Sequence, residues 1–482
     1  MKRKTLLFSS LVAVGALALI GCNNGGDDSS GVVKIRVDSQ YGKGMQEQFQ
    51  TIADEFNNQN RGKIEVTINQ ISGGYNGVFT AVKADLDVNQ DQWADLVCCY
   101  PDHVCDYLEY NKVVNLDKFI NSSDPEIAFD VDDLTESARS YLDIQYPRTG
   151  TYAVPYSIST ECMFYNPCIL GLSIPGINNG EAIDEDYINT LTWDELFDNF
   201  CPKFLEYNAT LDADHKILDT SGDYCVVGYD EDGNAFITLA KQYGYGYTSI
   251  DEYRNPSIDF NNDGMKALLK KWNGYKNKHY LLSQGSFNDK RTSTELFAKN
   301  PPKCIFTIGS TGGLSYHKYD LFEIRCAPIP QVNLNNRQFI LQGGSWCILS
   351  HNTKNDNARQ LAAWKFYKHL TNYTNCAYWS TSTGYAPIRN SVYTGEEWAE
   401  ISDLTPFEGH PCKDNLYARN AQYLVTVKDE LFTSEVFKGS TSARLYVDGL
   451  FGEILKLSES ECTTATINSK FATAYNNTLN DL

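Results

Sequence analysis

Carboxylates, hydroxyls and histidines are plentiful in this chain, but few have the spacing of a metal-binding or catalytic motif. Residues 259–264 (Asp-Phe-Asn-Asn-Asp-Gly) begin like a calcium-binding EF-hand loop, with oxygen-bearing side chains at its first, third and fifth positions. The twelfth position should hold a bidentate glutamate, but it holds the cation Lys270. These residues therefore predict a turn that caps the following helix, and residues 230–234 likewise predict an acidic turn.

Catalytic signatures are also missing from the sequence. The 7 histidines form no H-E-x-x-H pattern, and there is neither a G-x-S-x-G elbow nor a phosphate-binding P-loop. A glycosidase pair of carboxylates is a spatial arrangement that spacing along the chain does not reveal. The sequence therefore predicts no catalytic residue, no metal site and no cofactor. A surface enzyme acting on glycosides stays open as an alternative.

Composition limits the classes of protein that the elements can build. The chain has 482 residues, 42% of them hydrophobic, which is enough for buried cores in two or three domains or two large lobes. It has 41 Lys and Arg against 61 Asp and Glu, a net charge of −20. Because binding to a phosphate backbone needs a basic face, this balance argues against a nucleic-acid partner.

The first thirty residues indicate where the protein works. Residues 1–21 have a positive start followed by an apolar run, the organisation of a secretory signal peptide. The run ends in Leu-Ile-Gly-Cys, which resembles a bacterial lipobox and predicts that Cys22 is acylated. The polar stretch 22–31 then predicts a flexible tether. The protein is expected at the bacterial cell membrane, lipid-anchored and facing the outside or the periplasm; an ordinary secretory signal with a chance cysteine is the alternative.

The hydrophobic pattern after the tether alternates between two periods. Val33, Ile35 and Val37 alternate with polar residues and predict a strand, and apolar residues from Met45 to Phe56 follow at helical spacing. A second strand, a second helix and the buried strand 94–99 come next. This order is typical of an α/β fold. The 13 cysteines other than Cys22 are an odd number, and their pairing is not readable from the sequence.

Five ordered strings resemble segments of the extracellular solute-binding proteins of bacterial ABC importers, most nearly the carbohydrate binders and the glycerol-3-phosphate binder. Two of them look like crossovers between lobes, one like a loop that presents a serine to ligand, and two like C-terminal segments of the glycerol-phosphate group. The strings are, in chain order, residues 151–166, 303–313, 327–330 with 342–345, 383–388 and 439–448.

The resemblance implies a two-lobed, periplasmic-binding-protein-like clamp of type II, an α/β fold with interlobe crossovers. The implied N-terminal lobe is formed by residues 32–152 and 342–386, and the C-terminal lobe by residues 153–341 and 387–482. It further implies a monomer that binds a small polar ligand without catalysing a reaction and that docks on the permease subunits of an ABC transporter.

The resemblance also implies a set of ligand-binding residues. Hydroxyls and backbone N–H groups are expected to bind ligand oxygens, tyrosine rings to face C–H groups, and an arginine to hold neighbouring oxygens or a phosphate. A local role in a turn, a helix start or a surface salt bridge is the alternative at each position. The predicted ligand-binding residues are Tyr75, Asp102, Ser159, Thr160, Phe236, Ser310, Thr311, Gly343, Gly344, Tyr385 and Arg444.

The ligand class is left between two candidates, a carbohydrate and glycerol 3-phosphate or a related phospho-glycerol. The glycerol-phosphate group has tryptophans in the segment similar to residues 228–237, where this chain has Tyr229, Gly233 and Phe236. This departure favours a neutral carbohydrate. An adhesin or structural lipoprotein is the remaining alternative.

Overall fold

The computed structural model describes residues 31–42, 44–287, 293–317, 322, 324–395, 398, 423–424 and 426–482. The predicted signal peptide, the acylation site Cys22 and residues 22–30 of the predicted tether lie outside the described residues. The strands, in chain order, are β1 (Val33–Ser39), β2 (Ile64–Gln70), β3 (Leu96–Cys99), β4 (Val154–Ser159), β5 (Glu161–Tyr165), β6 (Val227–Tyr229), β7 (Thr248–Ile250), β8 (Pro256–Ile258), β9 (Leu281–Ser283), β10 (Phe306–Ser310), β11 (Arg325–Pro328), β12 (Phe339–Ile340), β13 (Gln342–Ile348) and β14 (Leu431–Phe432).

The α-helices described lie mostly between these strands. They are α1 (Gln46–Gln59), α2 (Gly74–Val88), α3 (Pro101–Leu108), α4 (Asp117–Ile120), α5 (Glu136–Arg139), α6 (Glu185–Asn189), α7 (Cys201–Thr210), α8 (Asp232–Gln242), α9 (Asp263–Asn277), α10 (Thr294–Phe297), α11 (Asp356–Leu370), α12 (Tyr373–Thr383), α13 (Asn390–Tyr393), α14 (Ser440–Leu455) and α15 (Thr464–Asn480). A 3₁₀ helix, Thr311–His317, follows β10 directly. Among these helices, none is long and apolar enough to cross a bilayer.

The N-terminal lobe is built on a five-stranded mixed sheet in the order β2-β1-β3-β13-β4. The first three strands are parallel, and β13 runs antiparallel to both β3 and β4. The apolar face of α1, including Phe49, Ile52 and Phe56, is buried in the core of this lobe. Helices α11 and α12 supply Trp364 and Trp379 to the same core. The β-α-β-α-β order predicted for this segment is confirmed, and β3 is fully buried as expected.

The C-terminal lobe is built on a second five-stranded mixed sheet in the order β11-β5-β10-β6-β9. Strand β10 is parallel to β6 and antiparallel to β5. Helices α8, α9, α14 and α15 carry the buried side chains of this lobe, among them Trp272, Phe451 and Phe471. Helix α9 begins as predicted, because the Asn262 side chain accepts a hydrogen bond of 2.9 Å from the Met265 N–H.

The chain changes sheets at Thr160, between β4 and β5, and again at Leu341, between β12 and β13. The sheets differ from the predicted lobe boundaries in two places. Residues 154–159, assigned to the C-terminal lobe, form an edge strand of the N-terminal sheet because they pair with β13. Ile388 and Val392, also assigned to the C-terminal lobe, pack in the core of the N-terminal lobe.

Candidate functional site

A cavity of about 710 Å³ lies between the two lobes, and we call it the interlobe cavity. Its walls combine the end of β4, the start of α2 and the segment after α12 with the β6–α8 connection, α10 and the end of β10. Its lining from the N-terminal lobe includes Tyr75, Tyr100, Ser159, Gln342, Gly343 and Tyr385. Its lining from the C-terminal lobe includes Asp230, Glu231, Asn234, Glu295, Lys299, Ser310 and Gly312.

Tyr385 forms one aromatic wall of the interlobe cavity. It follows Gly384, which ends α12 with a φ of 87°, a left-handed conformation that glycine adopts at little cost. The Tyr385 ring stacks on Trp379, with centroids 6.1 Å apart and planes 7° apart. The opposite lobe approaches it closely, since a Cβ atom on Gly312 would lie 2.4 Å from the ring. Tyr385 is therefore held between the lobes, at the position predicted for ligand contact.

Tyr75 forms a second aromatic wall near the start of α2. Its ring stacks on Tyr100, with centroids 4.1 Å and planes 29° apart. Its hydroxyl points toward the sheet, because a Cβ atom on Gly344 would lie 2.3 Å from it. Burial raises the pKa of Tyr75 well above its usual range, so the phenol is neutral. Gly344, predicted to approach ligand, instead makes room for Tyr75.

The first crossover separates the roles of two neighbouring hydroxyls. Ser159, predicted to bind ligand, lines the interlobe cavity. Thr160 does not, because it is fully buried and its hydroxyl donates to the Ile340 carbonyl at 2.8 Å. The Thr311 hydroxyl accepts from the Thr160 N–H at 3.3 Å, and the Thr311 N–H donates to the Thr160 carbonyl at 2.8 Å. The predicted ligand contacts of Thr160 and Thr311 are therefore wrong for this structure; both threonines fasten the crossover.

The second crossover supplies Gln342 and Gly343. Both line the interlobe cavity, and Gln342 pairs with Ser159 across the N-terminal sheet. The Gln342 Nε2 atom is buried and has no hydrogen-bond partner among the described residues. Gly343 has a φ of 140°, and a Cβ atom there would lie 2.1 Å from the Ser157 carbonyl oxygen. Only glycine fits at position 343, and because it has no side chain its backbone is accessible from the cavity.

Ser310, predicted to bind ligand, lies at the end of β10 and lines the cavity from the C-terminal lobe. Its hydroxyl accepts a hydrogen bond of 3.2 Å from the Gly312 N–H. The backbone of the following 3₁₀ helix continues the wall. Two hydroxyls, Ser159 and Ser310, therefore meet the cavity from opposite lobes.

Carboxyl groups occupy the C-terminal wall. Asp230 accepts hydrogen bonds from the Ser293 N–H at 2.6 Å and the Thr294 hydroxyl at 2.8 Å. Glu231 lines the interlobe cavity, where burial between the lobes, together with the nearby Asp448 carboxylate, raises its pKa to about 7. Behind this wall, burial raises the pKa of Glu161 to about 8. Within the described part of the chain, no cluster of histidine, cysteine and carboxylate groups has the arrangement of a metal site.

Arg444 and Asp102 lie beside the interlobe cavity rather than in it. They line a smaller cavity of about 70 Å³, the side pocket, which shares Tyr100, Asn234 and Gln342 with the larger one. The Arg444 guanidinium donates to the Asn234 side-chain oxygen at 2.6 Å, and its Nε lies 3.6 Å from an Asp102 carboxylate oxygen. The two predicted ligand contacts are thus brought together, but as partners of each other.

Phe236 is a correction. Its side chain is fully buried in the C-terminal core, with ring centroids 6.0 Å from Phe260 and 6.3 Å from Phe471. It lies on the face of α8 turned away from the cavity, so similarity to a tryptophan-bearing segment misplaced it. Asn234, two residues earlier and so on the opposite face of α8, lines the cavity instead.

Sequence reasoning missed Tyr100, Gln342, Glu231 and Asn234. Gln342 stands at the head of a string that the resemblance had picked out, and Tyr100 directly precedes the helix that carries Asp102. The sequence next to Gln342 and Tyr100 therefore contained a signal that could have identified both as site residues. Glu231 and Asn234 lie in the predicted acidic turn, and only their tertiary placement distinguishes them from solvent-facing residues.

The fold and cavity match a known class of protein. The chain belongs to the family of bacterial extracellular solute-binding proteins, whose family model matches residues 51–406. It is a solute-binding protein with the two-lobed α/β fold predicted from the sequence. No curated protein sequence matches this chain.

Solved structures share this fold at low sequence identity. UgpB from Mycobacterium tuberculosis, in complex with glycerophosphocholine, is 18% identical, with a TM-score of 0.68 over 93% of this chain and 98% of that one. The GacH receptor of Streptomyces glaucescens, solved unliganded and with acarbose, is 15% identical, with a TM-score of 0.67 over 93% and 99%. The maltose/maltodextrin-binding domain MalE from Bdellovibrio bacteriovorus, bound to maltotriose, is 13% identical, with a TM-score of 0.66 over 93% and 100%.

Proposed function

We propose that this protein captures a neutral carbohydrate in the interlobe cavity and delivers it to the permease of an ABC importer, without catalysing a reaction. The observation that carries this proposal is the lining of the interlobe cavity. Three tyrosines, two serines from opposite lobes and the Gln342 amide, whose Nε2 has no partner in the described part of the chain, line it together. This set offers ring faces to C–H groups and hydrogen bonds to hydroxyl groups, which are the two surfaces of a sugar.

The size of the cavity agrees with a ligand of more than one sugar ring. At about 710 Å³ it lies within the range of roughly 300–1,000 Å³ usual for small-molecule sites. A buried amide donor without a partner costs free energy, so Gln342 favours a ligand that brings an acceptor oxygen. A sugar hydroxyl or ring oxygen provides one.

Two features favour a neutral ligand over a phosphorylated one. The Arg444 guanidinium does not line the interlobe cavity; it donates one hydrogen bond to Asn234 and has the Asp102 carboxylate as its counter-charge. Among the described residues that line the interlobe cavity, Lys299 is the single cation beside the carboxyl groups of Asp230, Glu231 and Glu295. Moving a phosphate next to the carboxylates of Asp230 and Glu295 is electrostatically unfavourable. Glycerol 3-phosphate and its relatives are therefore the second candidate.

The lipid anchor is part of the proposal and depends on the sequence. The apolar run that ends in Leu-Ile-Gly-Cys, followed by a polar tether, supports acylation at Cys22. Stable anchoring takes more than one acyl chain, which a lipobox cysteine would receive. The protein would then act at the bacterial cell membrane, facing the outside or the periplasm, as a monomer that meets its permease there.

A thermal-shift screen of the purified protein tests the ligand class. The panel contains maltose, maltotriose, glycerophosphocholine and glycerol 3-phosphate. A ligand at ~1,000 times its Kd stabilises the folded state by about 4 kcal/mol, which is a clear rise in Tm. We expect a rise with a neutral oligosaccharide and none with the two phosphate compounds. A rise with the phosphate compounds alone would overturn the proposal.

A pair of matched variants tests whether the ligand binds in the interlobe cavity. Ser310→Ala removes a hydroxyl from the cavity and should reduce the sugar-induced shift, whereas Ser469→Ala removes an exposed hydroxyl on α15 and should leave the shift unchanged. Equal shifts in both variants would contradict the assignment of this cavity.

A further inference from the structure

Two ion pairs join α3 of the N-terminal lobe to the start of α14 and the residues just before it in the C-terminal lobe. Asp102 and Glu109 lie two turns apart on α3 and its C-terminal end, with Asp106 between them on the same face. Asp102 faces Arg444, and Glu109 lies 4.0 Å from the Lys438 Nζ. The two elements therefore run antiparallel across the boundary between the lobes.

The inner pair, Asp102 with Arg444, is more buried than the outer pair, Glu109 with Lys438. The Arg444 side chain is 21% exposed and Asp102 is 10% exposed, whereas Lys438 and Glu109 are each about half exposed. Because solvent screens exposed pairs, the outer pair contributes little, while the inner pair keeps most of its attraction. Arg444 is also held in position by Asn234 of its own lobe and lies 5.8 Å from the Tyr100 ring of the other.

We propose that Asp102, Arg444 and Asn234 form a clasp that holds the two lobes together and slows the release of ligand from the interlobe cavity. The clasp is on the cavity side of the interface, because Tyr100, Asn234 and Gln342 line both the side pocket and the interlobe cavity. The ion pair between Asp102 and Arg444 joins the two lobes, so an opening that separates α3 from α14 breaks it.

The effect of the clasp on function follows from this geometry. A contact made only when the lobes are together shifts the equilibrium toward that arrangement, whether or not ligand is present. Ligand then leaves only as often as the clasp breaks. This assigns Arg444 and Asp102 a role in the dynamics of the site instead of direct contact with ligand. The role in ligand release rests on the proposed function, but the role in lobe closure does not.

The test uses Asp102→Asn, which keeps the size of the side chain and removes its charge, and Arg444→Gln, which removes the same ion pair from the other lobe. Glu109→Gln is the matched control on the same face of α3. The radius of gyration of the protein without ligand is measured by small-angle X-ray scattering. We expect a larger radius for both clasp variants than for the wild type and no change for Glu109→Gln. An unchanged radius in both clasp variants, or an equal increase in Glu109→Gln, would overturn the proposal.

Release kinetics provide the second readout, with maltotriose as the probe. Stopped-flow fluorescence should show release about tenfold faster from Asp102→Asn than from the wild type, as expected for the loss of a partly buried ion pair. Equal release rates in the two proteins would contradict the role in ligand release. If maltotriose does not bind, the carbohydrate proposal loses support, and the scattering result alone still decides whether the clasp holds the lobes.

Discussion

Adding one methyl group at Gly312 should weaken ligand binding by wedging the lobes apart at Tyr385. Gly312 belongs to the C-terminal lobe and Tyr385 to the core of the N-terminal lobe. A Cβ atom at Gly312 would lie 2.4 Å from the Tyr385 ring, whereas ordinary van der Waals contact begins near 3.4 Å. In Gly312→Ala the ring or the lobe must therefore move by about 1 Å.

The magnitude follows from what that movement disrupts. Tyr385 is 6% exposed and stacked on Trp379, so its ring has little freedom to turn aside. An aromatic contact of this kind contributes about 0.5–1.5 kcal/mol beyond its buried area. Losing the contact between the ring and a bound sugar should therefore raise Kd by a factor of about 2 to 10.

The assay is titration calorimetry with the sugar identified by the thermal-shift screen. Gly274→Ala is the control, since a Cβ atom there meets nothing within 4 Å. The double variant Gly312→Ala with Tyr385→Ala separates the mechanisms: if the methyl group acts through the ring, it should add little to the loss from Tyr385→Ala alone. Wild-type affinity in Gly312→Ala, or additive losses in the double variant, would refute this reasoning.

Two further predictions concern stability and anchoring. Asp95 is buried and accepts two hydrogen bonds from Arg359, at 2.6 and 2.9 Å. Asp95→Ala should therefore lower the free energy of unfolding by about 3–5 kcal/mol, measured by denaturant titration, and an unchanged midpoint would contradict this. Burial alone would raise the pKa of Asp95, but hydrogen bonds from His351 and Arg359 hold this pKa below its usual value of 3.8. The contribution of Asp95 to stability is therefore fully present above pH 3.8, and it is lost as the pH falls through the lower pKa of the folded state. Cys22→Ala should abolish labelling of the protein by a radioactive fatty acid in growing cells, and label that persists in this variant would disprove acylation at Cys22.

The local hydrophobic pattern predicted the first strands and helices of the fold correctly. The alternation from Val33 and the apolar stripe of α1 identified the first strands and helices, because each depends on burying one face. The predicted lobe boundary is wrong at β4. This strand belongs to the N-terminal sheet because it pairs with β13, which lies far along the chain. No local feature of residues 154–159 records that partner.

The candidate site divides in the same way. Ser159, Ser310 and Tyr385, which were predicted to bind ligand, all line the interlobe cavity; each directly follows or ends a strand or a helix cap that sets its position. The partnership between Arg444 and Asp102 was not foreseen, since it forms only when the two lobes meet. Side-chain type shows that each of these residues is charged, but the partner of each depends on tertiary structure.

The most direct test of the proposed function is titration calorimetry of the purified protein with maltotriose, followed by mass spectrometry of the recovered sugar. A solute-binding protein for neutral carbohydrates should bind one sugar per chain, lose affinity in Ser310→Ala but not in Ser469→Ala, and return the sugar intact. Recovery of cleaved maltotriose would show an enzyme. Absence of binding by maltotriose and the other neutral sugars, with saturable binding of glycerophosphocholine, would contradict the carbohydrate assignment.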